Sequence, residues 1–190
     1  MAMGTTSCML GGALLLLVLS SATDVHGGPS SSAAPRSPLD NLCISLGSWY
    51  VTPSLCVSTL CVDPSCRSAR GLPELAVLAT RLTVANATVA KASIESALTH
   101  AKDAKARKVM QSCLQLYVSG VVPPLQWVAR SVAAGRYSGV SEKVQAAMDA
   151  SHGCTRLAGH EVALPKEDQQ FYMMAYVVKA VVEWVQHVIG

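Results

Sequence analysis

The chemistry-bearing side chains of this 190-residue chain are its seven cysteines, at positions 8, 43, 56, 61, 66, 113 and 154, a few histidines and one adjacent pair of carboxylates. Cys43, Cys56, Cys61 and Cys66 could in principle hold a tetrahedral zinc, but only as thiolates kept reduced. Glu167 and Asp168 are neighbours in sequence, and on a helix neighbours diverge by about 100 degrees, so they cannot flank one bond as acid and base. They suit the positive end of a helix dipole instead. His100, His152, His160 and His187 fall at helix ends or on polar faces, as solvated side chains do. There is no Gly-x-Ser-x-Gly, no His-Glu-x-x-His and no glycine-rich phosphate loop. The chain therefore reads as a protein without a catalytic site, a metal or a cofactor.

The cysteines point to another chemistry once the compartment is read. Residues 1–27 have the character of a secretory signal, with an apolar run from Met9 to Leu19 too short to span a bilayer. Small residues follow at Ser20-Ser21-Ala22 and Gly27-Gly28, although no Lys or Arg precedes the run. Removal of this segment takes Cys8 with it and leaves six cysteines, an even number in an oxidising environment. After that removal no membrane segment is expected. Residues 28–38, rich in Gly, Pro, Ser and Ala, read as a disordered leader.

Composition narrows the function further. The chain is 51% hydrophobic and 14% charged, which suits one compact domain with a sizeable core. A net charge of +3, one basic cluster at Lys102, Lys105, Arg107 and Lys108, and no aromatics beside it argue against nucleic-acid binding.

The elements that must carry the cysteines are all helical, since no stretch alternates with period two. Ser37-Pro38 caps a short helix ended by Gly47, and Thr52-Pro53 caps a second, Ser54 to Val62, stopped by Asp63-Pro64. Two helices this short need a staple, and Cys43 with Cys56 would provide one. A long helix then runs from Leu72 to His100 with an expected seam of Leu75, Leu78, Leu82, Ala85, Val89, Ala92 and Ser96. Its threonines read as fillers of close helix contacts, with an interface on the bundle surface as the alternative. The next helix, Lys105 to Ala134, carries Met110, Cys113, Tyr117 and Val121 inward and kinks at Pro123-Pro124. A third begins with a cap at Ser141-Glu142 and carries Val144, Ala147, Ser151 and Cys154. The last, from Pro165, has Phe171, Met174, Val178, Val181, Val185 and Val188 on its seam.

The expected fold is all-α: an antiparallel four-helix bundle (71–190) with an N-terminal helical hairpin (39–70), stapled by disulfides. Cys113 and Cys154 fall on core-facing positions of neighbouring helices, where a bridge would contribute on the order of 3–4 kcal/mol by closing a long loop.

A signal-like start, Cys43, then Tyr50-Val-Thr-Pro-Ser-Leu-Cys56, Leu60, Asp63-Pro64 and Gly71-Leu72-Pro-Glu-Leu75 resembles the plant invertase and pectin methylesterase inhibitor family. The resemblance continues through Ser112-Cys113-Leu-Gln-Leu-Tyr117, Ala146-Ala147-Met148 to Gly153-Cys154, and Leu164-Pro165-Lys-Glu-Asp168, covering nearly all of the chain after residue 40. It implies bridges at Cys43–Cys56 and Cys113–Cys154 and non-covalent inhibition of a cell-wall or vacuolar carbohydrate enzyme. Cys61 and Cys66 are additional to that pattern, either as a third bridge across the Asp63-Pro64 break or as buried thiols. Pro165-Lys166-Glu167 partly matches the Pro-Lys-Phe of invertase inhibitors, which marks Pro165 and Lys166 as candidate target contacts. Ser112, Gln115 and Thr155-Arg156 depart from residues usual beside the family's cysteines.

The function expected from the resemblance is a secreted inhibitor in a 1:1 protein complex with pectin methylesterase, favoured over acid invertase, in the cell wall or the vacuole. The rival expectation is a helical-bundle module without inhibitory activity, either an apolar-ligand carrier or a folding module like an enzyme pro-region. Asn86-Ala87-Thr88 is a sequon for N-glycosylation on such an exported chain.

Overall fold

The computed structural model describes residues 36–47 and 51–189. The signal segment with Cys8, the leader as far as residue 35, and Tyr50 lie outside the described residues. Every regular element is helical, and among the described residues there is no strand.

Helix α1 spans Pro38–Leu46 and α2 spans Pro53–Leu60. Each opens as capping chemistry requires: the Ser37 hydroxyl oxygen accepts the Asp40 backbone N–H at 3.1 Å, and that of Thr52 accepts the Leu55 N–H at 3.3 Å. Leu39, Leu42, Leu46, Val51 and Leu60 are buried, and a Cys43–Cys56 disulfide joins the two helices. A short 3-10 segment, Pro64–Arg67, follows α2, and a second disulfide, Cys61–Cys66, ties its end back to the helix it leaves.

Helix α3, Leu72–His100, packs along α7, Lys166–Ile189, and against α5, Val122–Ala133. Its inward face departs from the expected seam. Leu75 and Leu78 are buried, but the stripe then runs through Ala79, Thr83, Ala87, Ala90 and Ile94, while Ala85, Ala92 and Ser96 are exposed and Val89 is 55% exposed. The small residues won because they let neighbouring backbones approach closely. The threonines join them as near-apolar groups, since Thr80 donates to the carbonyl of Ala76 at 3.0 Å and Thr83 to that of Ala79 at 2.9 Å.

The second bundle strut is α4, Ala104–Leu116, continued by α5. Between them Tyr117–Val121 forms a π-helical turn, with the Val122 N–H reaching the carbonyl of Tyr117. Pro123 and Pro124 supply no N–H and crowd the carbonyls of Ser119 and Gly120, and the widened turn absorbs this. Gly120 faces α6, where a Cβ would stand 3.0 Å from that of Ala150. Helix α6, Val140–Ala158, starts after Gly139 at φ +72 and stops at Gly159 at φ +57. Ser141 does not cap it: its hydroxyl donates to Glu183 on α7 at 2.5 Å. In α7 the expected seam is buried up to Val185, whereas Val188 is 52% exposed.

Candidate functional site

Lys166 opens α7 and stands exposed between two grooves, with no ion-pair partner among the described residues. One groove, of about 350 Å³, lies between α6 and the start of α7, with His152, Val162 and Tyr172 on its walls. The other, of about 560 Å³, lies against α2, with Thr59, Val62, Asn86 and Met173 along it. Tyr172 and Met173, each about two-fifths exposed, give this face much of its apolar content. The ring of Tyr172 leans on His152 at a centroid distance of 6.2 Å. An exposed aromatic, a flexible thioether and one uncompensated cation on rigid helices make a surface suited to a protein partner.

Beneath this face lies a buried polar cluster. The Tyr117 hydroxyl donates to Asp168 Oδ1 at 2.7 Å, the Ser151 hydroxyl donates to the same oxygen at 3.0 Å, and Phe171 meets the Tyr117 ring edge-on at 5.8 Å. Burial pushes the Asp168 carboxyl up, against the opposing effect of its two donors and of His152. Burial, and then the Asp168 charge, push the Tyr117 phenol up as well. The Asp168 N–H also donates to the Pro165 carbonyl at 3.0 Å, so one residue anchors both the core and the Pro165-Lys166 turn. An ion pair between Lys105 and Glu161 ties the start of α4 to the segment leading into that turn. The role of Asp168 was not evident from its place beside Glu167. The signal that could have found it was the pair of polar side chains, Tyr117 and Ser151, on core-facing positions, which require a buried partner.

The pairing of Cys113 and Cys154 differs from expectation. Both are buried free thiols, packed against one another across α4 and α6. The Cys113 thiol is a hydrogen-bonding neighbour of Cys154. That hydrogen bond, and then burial, push the Cys154 thiol up. Asn86 is half-buried in the groove beside α2, and its Oδ1 is enclosed without a hydrogen-bond partner. Ala87 of the sequon is fully buried, and the Thr88 hydroxyl donates to the Val84 carbonyl at 2.8 Å. Pro165 and Lys166 therefore share one face with Asn86, while the disulfides at Cys43–Cys56 and Cys61–Cys66 stiffen the hairpin. Among the described residues no three potential ligands gather to hold a metal, and no helix is long and apolar enough to cross a membrane.

The family model for plant invertase/pectin methylesterase inhibitors matches residues 38–179, from the first residue of α1 well into α7. The chain belongs to that family. Its members inhibit enzymes and are not themselves enzymes. Inhibitor-family architecture is also what the solved structures display. A mutant form A of a pectin methylesterase inhibitor from Arabidopsis superposes with a TM-score of 0.63 at 20% identity, covering 78% of this chain and 97% of that one. A pectin methylesterase inhibitor from Arabidopsis thaliana gives 0.56 at 18% identity, covering 75% of this chain and 95% of its own. At such identities the likeness speaks for the fold of this family member. No curated sequence gives a match.

Proposed function

We propose that this chain is an exported inhibitor that docks non-covalently, one to one, on a pectin methylesterase, with the face around Lys166 as its contact surface. The observation that carries this reading is the combination of Lys166, Tyr172 and Met173 on a face that the Asp168 cluster holds rigid from beneath. Preorganisation of that kind lowers the ordering cost of association, so affinity rests on a few anchors. Pectin methylesterase is put ahead of acid invertase because Pro165-Lys166 is followed by Glu167, where an invertase-type segment would present an aromatic.

Titration of the purified protein against a plant pectin methylesterase and, in parallel, an acid invertase tests the reading. Stoichiometric loss of the esterase activity alone is the expected result. Loss of invertase activity alone would overturn the target, and loss of neither, with the fold intact, would overturn inhibition itself.

A further inference from the structure

The fold assembles a second surface that no stretch of sequence displays. Two grooves, of about 460 and 680 Å³, run along α3 and α5 and share Leu78 and Arg81, the smaller also walled by Ser65 and Ser68 and by Tyr137 beyond α5. They have no lining residue in common with the two grooves beside Lys166. Their floor is aliphatic, from Leu78, Leu82 and Val132, and their rims carry Arg81, Arg130, Gln126 and Tyr137.

The charges along this surface are unequally committed. Glu74 is held by Arg70, whose backbone N–H and Nε both donate to it at 2.9 Å. Asp63 accepts the Ser65 N–H at 2.9 Å and forms no ion pair with Arg81, though that guanidinium helps hold its carboxyl below the usual range, after the Ser65 bonds. Arg81 and Arg130 are exposed and have neither a salt bridge nor a hydrogen bond among the described residues. Neither does the Gln126 amide. Two planar guanidinium groups over an aliphatic floor fit ligands that alternate carboxylates with flat, C–H-rich faces.

We propose that the α3/α5 groove binds a segment of acidic polysaccharide, a chain of uronate sugars whose carboxylates pair with Arg81 and Arg130 while the ring faces lie on Leu78 and Leu82. Gln126 and the Tyr137 hydroxyl meet the sugar hydroxyls. An acidic peptide fits less well, because Arg81 and Arg130 stand within α3 and α5, whose backbone groups beside them are paired along the helix and offer nothing to an extended main chain. A compact phosphate fits less well, since neither Arg81 nor Arg130 stands at the N-terminus of its helix, where free N–H groups would join it. The site stands independently of which enzyme the Lys166 face engages.

Calorimetry of the full chain with de-esterified oligogalacturonate, at about 0.15 M salt to screen loose attraction, tests the proposal. Saturable binding is expected, weakened at least about tenfold in Arg81→Gln/Arg130→Gln, and unchanged in Lys102→Gln/Lys108→Gln, which removes the same charge elsewhere. Circular dichroism checks that each variant is folded. No binding, equal loss in both double variants, equal binding of the fully methyl-esterified oligomer, or equal competition by poly-glutamate or dextran sulfate would each overturn it.

Discussion

The Tyr117 hydroxyl and the Asp168 carboxylate are 2.7 Å apart although 51 residues separate them in sequence, and that bond joins the π turn of the second strut to the first turn of the last helix. Tyr117→Phe leaves the buried carboxyl with Ser151 as its remaining donor. A loss of about 1–3 kcal/mol is expected from urea unfolding, the range for a buried acceptor deprived of a partner.

The same carboxyl makes stability depend on pH in a defined direction. Its folded pKa is raised, so the folded state holds the proton to higher pH than the unfolded state does. The contribution is fully present below the unfolded value near 3.9 and is lost as pH rises through the folded one. Asp63, Glu74 and Asp103 are shifted the opposite way by backbone hydrogen bonds, so raw stability mixes the two effects. The difference between wild type and Asp168→Asn isolates the first. Wild type is expected to lose stability relative to the variant as pH is raised, and a flat difference would contradict the assignment.

Cys113 and Cys154 are buried and already in contact. Oxidation in a glutathione buffer is expected to join them without changing the helical spectrum. Closing a loop of about 40 residues raises stability by roughly 4 kcal/mol in the chain-entropy picture. Thiol titration in denaturant, before and after oxidation, reads the change directly.

Much of the architecture was legible in residue types. Caps at Ser37 and Thr52, the stop at Asp63-Pro64, and the inward face of Met110, Cys113 and Tyr117 follow from local chemistry. The rotation of α3 was not, because Leu82 and Val89 are more apolar than Thr83 and Ala87, and only the proximity of α7 makes small size the deciding property. The Asp168 cluster and the Arg81–Arg130 groove bring together residues from distant helices, which helical periodicity within one segment cannot reveal.

The Cys61–Cys66 bridge closes a very short loop beside the groove that carries Arg81. Replacing both cysteines with serine is expected to cost about 2 kcal/mol in the entropic picture, less than the roughly 3 kcal/mol for Cys43 and Cys56. Thermal melting of the two double variants gives the order.

At the Lys166 face, Tyr172→Ala is expected to weaken inhibition by about 2 kcal/mol, roughly 30-fold, as truncation of an aromatic anchor does. Val118→Ala, a similarly exposed apolar truncation on another helix, leaves it unchanged. Inhibition curves against the esterase compare them.

The π turn at Tyr117–Val121 also has a consequence for reading frame. Inward residues 113, 117, 121 and 125 recur every four positions, a spacing that would carry them steadily around a regular helix of 3.6 residues per turn. The widened turn takes up that surplus, so α4 and α5 are two helices offset in phase and welded into one strut. An added or lost residue in the turn would slip the phase of one half against the other and swing a whole stripe of side chains, Leu125 to Val132, out of the core.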